Sequence, residues 1–246
     1  MESIGLSQGF LLAAEGRDVD FMIHGLIKFE LFGQELWITT THVSVLIVMA
    51  VLLAFAVAAN RRMKRAEEIP GAFQNVVELI VEMLDKMVSG SMGKYAGKFV
   101  NYISALFLFI FVSNISGLFG LRPPTADYGV TLPLGLITFG IIQYNNIKYN
   151  KVGAFTGLFQ PLPFLFPINL IGEIAVPFSL SLRLFGNVLS GTVMMSLIYQ
   201  LLSRIAIGWP GILHIYFDVF SGAIQTYVFC MLTMAFTAQK MPESDS

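Results

Sequence analysis

The chain alternates long apolar stretches with short, polar, turn-rich joints. Thr41 to Ala59, Phe99 to Leu121 and Thr131 to Tyr149 each approach the roughly 20 mainly apolar residues that a helix needs to cross a bilayer. Arg122-Pro-Pro-Thr-Ala-Asp127 joins the second to the third through a turn. Phe155 to Ile171 is apolar but carries Pro161, Pro163 and Pro167, which predicts a re-entrant or interfacial segment. Pro177 then precedes a helical stretch to about Arg204. A last stretch, Pro210 to Ala238, follows the turn Gly208-Trp209-Pro210-Gly211 and predicts an antiparallel helical hairpin. Between Glu67 and Val88 the pattern changes: Val76, Val77, Ile80, Val81, Leu84 and Val88 recur at helical spacing with Glu78, Glu82 and Asp85 opposite. That segment predicts an amphipathic surface helix. The expected fold is therefore an all-α polytopic membrane protein of five transmembrane helices plus one amphipathic helix on the cytoplasmic face.

Charge placement orients this scheme. Arg61, Arg62, Lys64 and Arg65 follow the first span, which puts that end in the cytoplasm and the N-terminus outside. With five spans, ten of the fifteen Lys and Arg fall inside and four outside, while Arg183 lies within a helix. Residues 1–40 are expected to form an extracytoplasmic N-terminal segment and 41–246 one membrane domain, with no internal repeat.

Composition agrees: 55% of residues are hydrophobic and 13% charged, against about a quarter charged in soluble domains. A net charge of -1 and the absence of a basic, aromatic-interleaved run exclude nucleic-acid binding. Cys230 is the single cysteine, so no intrachain disulfide forms, and no Cys/His metal spacing exists. No metal or cofactor is expected. The first fifteen residues lack a basic n-region, which speaks against a signal or transit peptide.

Three residues stand out because lipid penalises them: Glu173, Arg183 and Asp218. An Arg or Asp at mid-membrane costs roughly 2.5 to 3.5 kcal/mol on insertion scales and usually faces a protein interior or a water path. Arg183 is flanked by about ten apolar or small residues on each side, too many for its stem to reach an interface. Arg183, Asn187, Ser190, Gly191 and Met194 share one helical face, and His214, Asp218, Ser221 and Gln225 share another. Two such stripes on adjacent helices could line an aqueous path, although Ser221 and Gly222 could equally serve close helix packing. His214 is either interfacial or a proton-handling group. Glu173 either caps its helix or lies on the ion path. A guanidinium keeps its proton, so Arg183 cannot relay protons; it can make a passing carboxylate release one and repel leaking cations.

Phe178-Ser-Leu-Ser-Leu-Arg183-Leu-Phe-Gly-Asn187 closely resembles the signature of subunit a of F-type ATP synthases. Ser113-Asn114, Pro124-Thr125-Ala126-Asp127, Asn169-Leu-Ile-Gly-Glu173 and Gln225 agree with that family too. The resemblance implies a stator subunit beside a ring of c subunits and the b subunits of a peripheral stalk, with the last two long helices tilted along the ring. Two half-channels would carry H⁺ or Na⁺ to and from the ring carboxylates, coupling ion flow to rotation and ATP synthesis. Arg183 would be the essential charge, Asn187 and Gln225 its polar companions. In many members an acid and an imidazole occupy the positions of Thr192 and Asp218; Thr192 cannot titrate, so Asp218 would be the acid and His214 the substitute partner.

The same resemblance makes the subunit non-catalytic by itself, and the missing transit peptide favours a bacterial plasma membrane over a thylakoid. No nucleotide site is expected, since Gly93 to Phe99 is one residue short of a phosphate loop and lacks its Ser/Thr. A stand-alone transporter would fit poorly with the missing repeat, and a passive scaffold with the three charges.

Overall fold

The computed structural model describes residues 25–31, 34–64, 71–119, 121–151, 153–159, 162–201, 213 and 215–242. It opens with two antiparallel strands, β1 (Gly25–Leu31) and β2 (Gln34–Thr39), with Lys28 opposite Trp37. The sequence reading predicts no element there, although Ile27 to Leu31 alternate apolar and charged at the two-residue period of a strand. Among the described residues, no further strand follows it and the regular elements are all helical.

Helix α1 (Thr40–Met63) starts at Thr39, whose hydroxyl lies 2.7 Å from His42 Nδ1. It ends on Arg61 and Arg62, the sign of charge that a helix C-terminus favours. Helices α2 (Ala72–Met92) and α3 (Ala96–Ile115) are joined by a 3₁₀ turn at Gly93–Tyr95. Gly93 enters that turn at φ 50°, a conformation that costs glycine little. Val77, Leu84, Val88 and Met92 bury one line of α2, which packs on α3 and on the last helix. The buried line is narrower than the predicted stripe: Val76 and Val81 fall to either side of it and stay exposed.

Pro124–Ala126 form a 3₁₀ turn, and Asp127 then caps α4 (Tyr128–Asn150) by accepting the Gly129 N–H at 2.8 Å. Short turns at Gly153–Thr156, Gly157–Phe159 and Pro163–Leu165 occupy the proline-rich segment. Asn169 fastens it by donating to the Leu158 carbonyl at 2.9 Å.

Helix α5 runs 36 residues, Phe166–Leu201, with Pro177 inside it rather than ahead of it. This corrects the expected start. Proline has no N–H, so the Glu173 carbonyl lies outside the helical ladder. Tertiary packing nevertheless favours the continuous helix: α4 crosses this turn closely, and a Cβ on Gly135 would come within 2.7 Å of the Pro177 carbonyl oxygen. The last stretch is not uniformly α either. Ile215–Ser221 form a π-helical turn before α6 (Gly222–Gln239).

Residue pairs fix the directions. Tyr128 meets Phe185 and Gln143 meets Glu173, so α4 and α5 are antiparallel. Asn187 meets Ser221 and Glu173 meets Lys240, so α5 and α6 are too. Asn114 meets Gly222 at the far end of α3, while Tyr95 lies near Pro242. The core between them is Val88, Ile103, Ile110, Leu180, Leu184, Phe229 and Met234, all buried. Thr226, Thr233 and Thr237 turn their hydroxyls onto carbonyls four residues back, which satisfies them without water.

Among the described residues, four stretches are long and apolar enough to cross a membrane: Thr40–Met63, Ala72–Phe119, Phe166–Ile198 and Ile215–Gln239. Helix α4 has 23 residues, about 34 Å of helix, but its last turns carry Gln143, Asn145, Asn146, Lys148 and Asn150. The molecule is an all-α polytopic membrane protein preceded by one strand pair.

Candidate functional site

Lipid-facing helix surfaces are apolar, and much of α1 follows that rule with Leu46, Val51 and Leu53 exposed. Helix α5 breaks it. Arg183, Asn187 and Ser190 are all exposed on its side, while Leu180 and Leu184, on either side of Arg183, are buried in the core. Leucines pointing inward thereby hold the guanidinium on an outer face of the bundle.

Toward the Lys240 end, a cavity of about 200 Å³ is lined by Arg183, Ser179, Val176, Gly172, Leu232 and Phe236. Gly172, Val176 and Phe236 also line a second cavity of about 710 Å³, which holds Glu173, Lys240, Asn146 and Asn150. The two are neighbours, with those three residues lining both, so the wider cavity at the bundle end lies next to the one at Arg183. Its polar wall is a chain of amides. Gln143 donates to Glu173 Oε2 at 2.7 Å and Asn150 donates to Asn146 at 2.9 Å and to the Lys240 carbonyl at 3.2 Å. Glu173 Oε1 pairs with the Lys240 ammonium. Glu173 sits two turns inside α5, so the helix-cap reading is wrong: an N-cap must precede the first turn.

At the other end, Asn114, Asn187, Gly191, Asp218, Ser221 and Gly222 enclose a space of about 10 Å³, near the least that holds one water. Asn187 donates to Ser221 Oγ at 3.1 Å, which ties the two predicted stripes together. Behind it, Thr125 donates to Asn114 Oδ1 at 2.6 Å, and Asn114 Nδ2 donates to the Gly222 carbonyl at 3.1 Å. A Cβ on Gly222 would stand 2.9 Å from that of Asn114, so glycine is what lets α3 and α6 meet here. The π turn carries Asp218 to this space, and its Oδ2 lies against Gly117. Single π turns recur at functional sites.

The remaining predicted residues divide. Thr192 turns its hydroxyl back onto the Leu189 carbonyl at 2.8 Å. Gln225 is buried, and its amide nitrogen has no acceptor among the described residues, an arrangement that costs about 1 to 3 kcal/mol unless a further group or water meets it. No described contact joins Gln225 to Arg183. His214 lies outside the described residues. Sequence reasoning missed Lys240, Gln143, Asn146 and Asn150 as site residues; the amide-rich end of α4 was the available signal.

The fold and site together define a helical membrane protein that exposes one fixed positive charge between two polar recesses. The family model for the ATP synthase A chain matches residues 42–238. The chain is 38% identical over 190 residues to a Propionigenium modestum protein described as ATP synthase subunit a, sodium ion specific. That match spans 70% of this chain and 65% of the relative. It is 32% identical over 226 residues to ATP synthase subunit a of Priestia megaterium, covering 85% of this chain and 92% of that one. With the Moorella thermoacetica subunit a the identity is 36% over 203 residues, 82% and 90% of the two chains. The chain belongs to the ATP synthase A chain family, subunit a of the ion-translocating sector.

Proposed function

We propose that this chain is the stator ion channel of an F-type ATP synthase, with Arg183 separating two half-channels that pass ions to and from the carboxylates of a c-ring. The observation that carries the reading is an exposed arginine on a membrane helix, lining a cavity that adjoins a wider polar recess on one side. Lipid would penalise that placement; a rotating partner surface bearing carboxylates would use it. A carboxylate arriving beside the fixed charge is driven to its ionised form and gives up its ion, while free cations are repelled. The recess toward Glu173 and Lys240 serves as one half-channel. The space around Asp218, Asn187 and Ser221 serves as the other, with Asp218 as its acid. Gln225 offers its unmet amide to this path.

A five-span topology would put the recess on the cytoplasmic side. Lys94, Lys98, Lys148 and Lys240 share that end with Tyr95 and Tyr149, whose rings Lys98 overlies at 5.5 and 5.8 Å. Lys and Tyr at one end fit a cytoplasmic interface. The 36 residues of α5 extend about 54 Å, well beyond a hydrocarbon layer of roughly 30 Å, which supports a steep tilt along the ring. The c-ring and the peripheral-stalk b subunits are the expected partners, in a bacterial plasma membrane, and phosphoryl chemistry takes place elsewhere in the complex.

The test is the purified complex in vesicles with Arg183→Ala, followed for ATP-driven ion uptake and passive leak, with Na⁺ present and absent. Loss of coupled transport in an assembled, ATP-hydrolysing complex is expected. Coupled transport that survives would refute the role of Arg183. Dependence on Na⁺, as the name of the Propionigenium relative describes for that protein, would identify the ion.

A further inference from the structure

The larger recess contains one acid and one base among its described lining residues, Glu173 and Lys240, and they are paired with each other. Neither is at the surface proper: their side chains are 23% and 26% exposed. Lys240 follows the last residue of α6, and Glu173 lies ten residues before Arg183 on α5. The pair thus lines the wide recess together with Gly172, Val176 and Phe236, the residues that recess shares with the cavity at Arg183. Gln143 fixes the other carboxylate oxygen, and Asn150, itself bonded to Asn146, holds the Lys240 backbone carbonyl, so amides of α4 position both residues of the pair.

We propose that Lys240 is a positioning residue of the ion path, an internal countercharge that occupies Glu173 between ion passages and so keeps that carboxylate from trapping the ion. This rests on the translocation reading above. An unpaired carboxylate in a partly apolar recess binds a cation more tightly than one in open water, because low-dielectric walls strengthen the attraction. Conduction needs a site that attracts an ion yet releases it. A tethered ammonium meets both needs: it neutralises the carboxylate at rest and yields to an arriving cation, then returns as the ion moves on. Removing either partner leaves the other charge uncompensated, and the two removals act on a passing cation with opposite sign.

The experiment measures ATP-driven ion uptake by the reconstituted complex as the ion concentration on the Lys240 side is varied. Lys240→Met is expected to lower the half-saturating concentration roughly five- to tenfold and to slow the maximal rate, because Glu173 then holds the ion. Glu173→Gln is expected to raise it by a similar factor, because the bare ammonium repels the ion. The double variant Glu173→Gln/Lys240→Met returns to within about twofold of the starting value. A merely structural pair would move both single variants in the same direction, and the double variant no closer to the parent; either result overturns the proposal, as does an unchanged Lys240→Met. If Lys240→Met fails to assemble, comparing Glu173→Gln with the double variant still decides: the rise must reverse. Arg183→Ala runs alongside. Coupled transport that survives it overturns the translocation reading, whereas its loss together with inert charge-pair variants overturns this inference alone.

Discussion

The recesses at the two ends of the α5–α6 pair differ about seventyfold in volume, about 710 Å³ against about 10 Å³, and a different third helix completes each, α4 at the wide end and α3 at the tight one. At the tight end Gly222 meets Asn114, and a ladder of donors from Thr125 through Asn114 to Gly222 closes the gap. At the wide end Phe236 of α6 and Val176 of α5 line the space, and charges and amides bridge it: Glu173 pairs with Lys240, and Asn150 donates to the Lys240 carbonyl. Local side-chain size thus sets the aperture, and the polar groups follow it: short hydrogen bonds where helices touch, an ion pair where they part.

Substitutions can break or sharpen that contrast. Gly222→Leu attacks the tight end most severely. It forces a branched side chain into Asn114 and should cost about 3 kcal/mol or more, seen as loss of assembled complex or a large drop in Tm. Asp218→Asn should leave assembly intact yet slow coupled transport roughly a hundredfold, the scale of a lost proton-handling group; vesicle uptake assays check it, and full activity would remove Asp218 from the path. Asn114→Ala strips the ladder and strands the Thr125 hydroxyl, for about 1 to 3 kcal/mol of stability, measured by thermal unfolding in detergent. Leu158→Phe, in the wall of the wide recess, should leave transport within about twofold, because a space of that size tolerates the added volume. Outside both recesses, Glu82→Gln removes an exposed pair with Lys86, 2.6 Å apart, and should leave the Tm in detergent unchanged, because solvent screens such a pair.

The spans of α1 and α3, the amphipathic character of α2 and the position of Arg183 could all be read from hydropathy and charge. Each rests on a regular 3.6-residue period or on one expensive residue, and both signals are local. The passage of α5 through Pro177 could not be read, because proline argues for a helix start and only the approach of α4 at Gly135 overrides it. The surroundings of Asp218 were legible in kind but not in geometry: a stripe drawn from His214 to Gln225 assumes α pitch throughout, and the chain winds as π from Ile215 to Ser221. Lys240 was visible only as a loop charge, since nothing in its own neighbourhood points to Glu173, 67 residues away.

The π turn gives the molecule a property of its own. Such a turn is an α-helix that has taken in one extra residue without disturbing its flanks. Removing one residue between Ile215 and Ser221 would rewind the segment as α and rotate what precedes it by about 100° relative to α6. Gly222, Thr226 and Phe229 would keep their seats against α3 while the carboxylate swung out of the tight recess. Single-residue gains and losses at this point form a ratchet by which a lineage can re-aim the acid without recutting the core.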